Sequence, residues 1–126
     1  MVVSARVVLR GNKGMVELLS FVDYTLAVSV IDRKLADEIG VEYTGKQRKL
    51  KGELKGEIAI VKSMIIDEVP IHNIRVLVVE FSENSAKALK KLGYSGGIIL
   101  GLNALEKAGL IPDILSGGLR RLRLFE

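Results

Sequence analysis

Two runs of branched, apolar residues, 2–10 and 15–22, flank Gly11-Asn12-Lys13-Gly14, and strand-like runs on either side of such a turn predict a β-hairpin. The second run breaks at Asp23 and resumes over residues 28–31, so Tyr24-Thr25-Leu26-Ala27 reads as a short loop between buried strands. Asp32 stands where it can cap a helix over 33–39; Leu35, Ala36 and Ile39 share one face, and Gly40 supplies the stop. Residues 42–57 are polar and punctuated by Gly45, Gly52 and Gly56, which predicts an exposed, mobile hairpin leading into a long strand over 57–66. A turn over 67–70 and a core strand over 74–81 follow. The pattern then turns helical over 82–92, breaks at 93–97, and resumes as a buried strand at 98–100 that Gly101 closes. A third helix is predicted over 103–108. A final half-buried strand is predicted over 119–125, where Arg121 and Arg123 alternate with Leu122 and Leu124.

Strands dominate this order, and there are too few long crossover helices for a doubly wound sheet, so the expected class is mostly β with short helices. No linker or shift of composition divides the 126 residues, which are read as one domain, 1–126. With 48% apolar residues the chain can fill a core, and a formal charge of +4 permits anionic partners without requiring one. The absence of cysteine removes disulfides, thiolate catalysis and cysteine-ligated metals. No signal-peptide pattern and no membrane-length apolar run occurs, so the expected location is cytoplasmic, with no membrane span.

Asp23 is the position that calls for an explanation. A carboxylate between Phe21-Val22 and Val28-Ser29-Val30-Ile31 lies at the mouth of a core, where it is expensive without hydrogen bonds or charge partners. One explanation is an Asx-turn that satisfies nearby backbone N–H groups. The other is catalysis by a pair of aspartates that share a proton and activate water against a peptide carbonyl. Asp32, Asp37, Asp67 and Asp113 all fall at helix or turn positions, so a pair requires two-fold assembly with one Asp23 from each copy.

The segment Phe21-Val22-Asp23-Tyr24-Thr25-Leu26-Ala27-Val28-Ser29-Val30-Ile31 resembles the retroviral-type, or retropepsin-like, aspartic proteases. In that family an apolar strand enters Asp-Thr-Gly-Ala, and a Ser or Thr follows at the spacing that Ser29 keeps. The family's second signature, an apolar pair and a glycine entering a helix, is matched by Ile98-Ile99-Leu100-Gly101-Leu102-Asn103-Ala104-Leu105. A glycine-containing hairpin lies between the two, where the family has its substrate-covering flap, and the likeness runs over residues 15–112. The resemblance implies a closed acid-protease barrel of mostly β structure. It further implies a homodimer, a catalytic Asp23, no cofactor and no metal, and a peptide or unfolded polypeptide as substrate. It assigns Tyr24, Thr25, Leu26 and Ser29 to the active-site loop, and Ile99, Leu100, Gly101 and Asn103 to the second motif.

The departures fall at the chemistry. Tyr24 stands where the family has a threonine that braces the two active-site loops, and Thr25 where it has a glycine. Ala27 and Leu102 occupy positions at which some retroviral members carry a paired aspartate and arginine. The alternative that these changes raise is a catalytically inactive peptide-binding or dimerisation module of the same fold.

Other signals are weaker. His72 is the only histidine, which leaves no histidine-rich metal site within one chain, and it is read as part of a turn or hairpin base. Neither Gly11-Asn12-Lys13-Gly14 nor Gly93-Tyr94-Ser95-Gly96-Gly97 has the spacing and following helix of a phosphate loop. Lys46, Arg48, Lys49, Lys51 and Lys55 form a basic hairpin face. With three Tyr, three Phe and no Trp there is little to stack on bases, and nucleic acid is not the expected partner.

Overall fold

Inward and outward residues alternate along β1 (Ser4–Arg10), with Ala5, Val7 and Leu9 buried, and the same period of two continues in β2 (Met15–Val22) through Leu18, Ser20 and Val22. The computed structural model describes residues 3–49, 55–84, 87, 91 and 97–122. After the first hairpin come β3 (Ser29–Asp32), α1 (Arg33–Ile39), β4 (Glu42–Lys49), β5 (Lys55–Ile66) and β6 (Val69–Val79). The chain continues with β7 (Ile98–Leu100), α2 (Leu102–Ala108), β8 (Leu110–Asp113) and β9 (Gly118–Arg121).

Six strands, in the order β1-β2-β7-β3-β6-β5, close on themselves because β1 also pairs with β5, and β4 extends the sheet from β5. Closure removes the sheet edges of the barrel, so the expected mostly-β, closed acid-protease-like architecture is the one observed. Short β7 runs parallel to β2 and antiparallel to β3, inserted between them, and this insertion brings two distant chain segments to the loop after β2.

The barrel interior is apolar. Val7, Leu9, Ile31, Met64, Ile66, Ile74, Leu100 and Leu105 are among its fully buried members, each contributing about 1.5–3 kcal/mol by burial. The alternate residues of the same strands build a second, smaller cluster of Val28, Val30, Leu77 and Val79, with Leu26, Ile58, Phe81 and Ile99 packed against it half-buried. Strands apolar on both faces explain why these segments read as continuous hydrophobic runs rather than alternating ones.

α1 starts at Asp32, but the aspartate does not cap it. Its side chain makes no capping bond; Oδ1 accepts instead from the Phe81 N–H at 3.0 Å, tying the start of α1 to the end of β6. The other end of α1 is held by the first hairpin's turn. Asn12 N–H donates to Gly40 O and Lys13 N–H to Ile39 O, both at 2.8 Å, so the turn satisfies carbonyls that the helix leaves free. Gly40, at φ 80°, provides the left-handed stop.

Several predicted boundaries move. The turn after β5 consists of Asp67 and Glu68, both at positive φ, and strand pairing resumes at Val69, so Pro70 and His72 belong to β6 rather than to a turn. The predicted strand over 119–125 is observed as β9, which begins at Gly118 and pairs with β8, a strand the pattern did not indicate because Pro112 interrupts it. Leu122 is 48% exposed rather than half-buried as part of that strand, and Leu124 and Phe125 lie outside the described residues. Of the predicted helix over 82–92, Glu83, Asn84, Lys87 and Lys91 are helical and most of the rest, like the break at 93–96, is outside the described residues. The hairpin over 42–57 is formed by β4 and β5 and is largely exposed; Lys51 and Gly52 lie outside the described residues.

Tyr43 anchors this hairpin to α1. Its hydroxyl donates to Asp37 Oδ1 at 2.7 Å, and the Arg33 guanidinium lies 5.7 Å from its ring centroid. Burial, and then the hydrogen bond to Asp37, push the phenol from 10.0 up to about 12. A raised folded-state value means that the contact's contribution is complete below pH 10 and is lost as pH rises through about 12. An alkaline titration followed at the phenolate absorbance is expected to show a tyrosine ionising near pH 12, and Tyr43→Phe is expected to delete that phase. Survival of the late phase in the variant would place it on another residue.

Candidate active site

The loop after β2 is fixed from below by β7. Parallel pairing sets Val22 beside Leu100, and Asp23 N–H donates to Leu100 O at 2.9 Å, so the aspartate emerges where the two strands end together. Leu26 N–H closes the loop onto Asp23 O at 3.1 Å. Asp23 is half-buried. Its Oδ1 accepts two hydrogen bonds from one residue, 3.0 Å from Thr25 N–H and 2.5 Å from the Thr25 hydroxyl, while Oδ2 has no partner among the described residues. The amide contact is the Asx-turn that the sequence admits.

Behind the loop, Ser29, Gly101 and Asn103 form one hydrogen-bonded unit. Gly101 N–H donates to Ser29 Oγ at 2.8 Å, and Ser29 Oγ and Ser29 N–H each donate to Asn103 Oδ1 at 2.9 Å. Asn103 Nδ2 in turn donates to Arg75 O at 2.7 Å. Two main-chain bonds join the same segments, from Leu102 N–H to Leu26 O at 2.7 Å and from Asn103 N–H to Ala27 O at 3.2 Å. Ser29 is fully buried, and a buried hydroxyl is tolerated because both its donor and its acceptor capacity are used. Segments more than seventy positions apart in the chain are therefore brought to one place, directly under the loop that carries Asp23.

The remaining candidates separate. Leu100 points into the barrel core, whereas Ile99 faces the opposite way, into the outer cluster with Leu26. Tyr24 is 53% exposed and Thr25 is exposed, with the Thr25 hydroxyl turned back onto its own aspartate. Leu102 is 39% exposed and Ala27 is exposed, so no charge stands at either position. His72 is exposed on β6.

Among the described residues no second carboxylate joins Asp23 within the chain. Asp32 is bonded to Phe81 N–H, Asp37 to Tyr43, Asp67 to Arg6 N–H and Asp113 to Leu115 N–H. Among the described residues no group of three or more His, Cys, Asp or Glu side chains is arranged to hold a metal ion. Two contributors carry little signal in the sequence. Ser20 is fully buried, and its hydroxyl lies 2.9 Å from Phe21 O and 3.3 Å from Ile98 O, where β2 meets β7; its one signal is a polar residue at an inward position between Leu18 and Val22. Arg75 contributes through its carbonyl, for which a sequence carries no signal.

A single half-buried carboxylate with one free oxygen can orient a water or accept a proton. It cannot at the same time donate a proton to a carbonyl oxygen, so the arrangement in one chain is half of an acid–base pair.

No family model and no curated protein matches the chain. Solved structures do. The retroviral protease-like domain of Ddi1 from Leishmania major superposes with a TM-score of 0.55 at 18% identity, covering 96% of this chain and 90% of that one. A retropepsin-like aspartic protease from Rickettsia conorii gives a TM-score of 0.50 at 17% identity, covering 90% of this chain and 89% of the other. Likeness at these identities is a likeness of fold, and with the barrel, the inserted β7 and the strand-end Asp23 it shows that the chain has the retropepsin-like acid-protease fold.

Proposed function

We propose that the protein is a divergent aspartic endopeptidase that becomes complete when two copies meet at their Asp23 loops. The observation that carries this reading is the Oδ2 of Asp23, without a partner among the described residues, on a loop bonded to the second motif above the Ser29–Gly101–Asn103 unit. In the dimer, one Asp23 is ionised and the other protonated, because like charges in contact cannot both be ionised cheaply. The ionised carboxylate takes a proton from a water held between the pair, and the water oxygen bonds to the peptide carbonyl carbon. The protonated partner donates to the carbonyl oxygen. Collapse of the tetrahedral intermediate breaks the C–N bond as the amine nitrogen takes up a proton, leaving a carboxylic acid and an amine. The substrate is an unfolded or extended polypeptide. Leu26, Ile58, Phe81 and Ile99 are half-buried around the outer cluster and supply apolar surface for its side chains.

The test is hydrolysis of a labelled, unfolded casein across about pH 3–7 by the purified protein and by Asp23→Asn. The substitution is expected to lower the rate at least about a hundredfold while leaving thermal unfolding nearly unchanged. Activity that survives the substitution removes the mechanism.

A second reading, a noncatalytic peptide-binding or dimerisation module, is favoured by Tyr24 and Thr25, which put bulk where the family has a threonine and a glycine. Binding of the same polypeptide, without cleavage by the wild type at any pH, decides for that reading.

A further inference from the structure

We propose that Thr25 is the residue that positions the Asp23 carboxylate: its hydroxyl and its amide hold Oδ1 together, so that Oδ2 is the oxygen presented to the water and to the second carboxyl. The inference rests on the peptidase reading for its catalytic consequence, and on local geometry for the contact itself.

Three observations support it. The Asx-turn needs only the Thr25 N–H, at 3.0 Å; the hydroxyl at 2.5 Å is a second donor on the same oxygen, and the turn does not require it. Two donors on one oxygen fix the carboxylate's rotation about its Cβ–Cγ bond, because turning the group would break both bonds at once. The other supports that could do this work are missing: among the described residues no Lys, Arg or His forms an ion pair with Asp23, and the nearby Ala27 and Leu102 are uncharged. The inward turn of the hydroxyl also gives the threonine at this position a use. A glycine could supply the amide bond alone, and this chain adds a hydroxyl to it.

Removing the hydroxyl frees the carboxylate to rotate, which lowers kcat without altering how the polypeptide is held.

Thr25→Val keeps the branched shape and the amide while deleting the donor, and Thr25→Ser restores the donor without the methyl group. With labelled casein, Thr25→Val is expected to lower kcat about tenfold at unchanged KM, with Thr25→Ser recovering it. A valine variant with wild-type kcat, or a serine variant that does not recover it, overturns the assignment. A second measurement needs no turnover. In protein carrying carbon-13 at aspartate carboxyls, the Asp23 resonance is identified by its loss in Asp23→Asn. It is expected to move in Thr25→Val and return in Thr25→Ser. An Asp23 resonance indifferent to both changes overturns the contact whether or not peptide is cut. If no variant, wild type included, cuts peptide, the peptidase reading falls, while a resonance that responds as expected still assigns the carboxylate's orientation to Thr25.

Discussion

Gly101→Ala is expected to lower stability by about 3 kcal/mol, read as a reduced midpoint in urea unfolding with little change in slope. The reason is contact, not conformation. Gly101 has φ −104°, which any residue adopts, yet a Cβ there would lie 2.8 Å from both C and O of Val28 and 2.9 Å from Leu26 O. These are backbone atoms of the Asp23 loop and its exit into β3, so they cannot swing aside as the end of a side chain would. The close approach is needed because Gly101 N–H must reach Ser29 Oγ and Leu102 N–H must reach Leu26 O. Gly109→Ala makes the control. That glycine has φ 68°, and an added Cβ would meet nothing within 4 Å among the described residues, so its penalty is backbone strain alone, about 1–2 kcal/mol. The two variants are also expected to differ in function: Gly101→Ala displaces the Asp23 loop and removes activity, whereas Gly109→Ala leaves it. Equal penalties, or an active Gly101→Ala, would show that α2 does not clamp the loop.

Much of this site was legible because its parts are local. The strand before Asp23, the Gly11–Gly14 turn and the glycine stop at Gly40 each follow from residues a few positions apart, and all three are observed. Gly101 and Asn103 were found because their spacing matches a known motif; nothing in their own neighbourhood predicts that both bond to Ser29. Asp32 shows the opposite failure. Its position before an amphipathic stretch is a proper capping signal, and the helix does start there, but the carboxylate is drawn to Phe81 N–H by a strand partner far away in sequence. β8 escaped for a local reason. Pro112 argues against a strand, yet Leu110–Asp113 pairs only with β9 and lies in a two-stranded sheet of its own, where a missing N–H is tolerated. For Asp32 and Ser29 the deciding partner was distant, and periodicity carries no information about distant partners; β8 was masked instead by its own proline.

The Ser29–Asn103 pair allows the coupling between the two motifs to be measured directly. Ser29→Ala leaves Gly101 N–H without its buried acceptor and removes one of the two donors to Asn103 Oδ1, at an expected cost of about 2 kcal/mol. Asn103→Ala strips the acceptor from both Ser29 donors and the donor from Arg75 O, at an expected cost of about 3 kcal/mol. Because both changes delete the same 2.9 Å hydroxyl contact, the double variant should fall short of the sum by about 1 kcal/mol. A chain in which the two loops are held independently would give additive losses. Asn103→Asp separates the two halves of the network: its carboxylate still accepts from Ser29 N–H and Oγ, but it sets an oxygen against Arg75 O where the amide donated. That variant is expected to lose stability above neutral pH and recover part of it in acid, where protonation restores a donor toward the Arg75 carbonyl. The opposite pH trend would mean that the Arg75 contact does not hold the second motif in place.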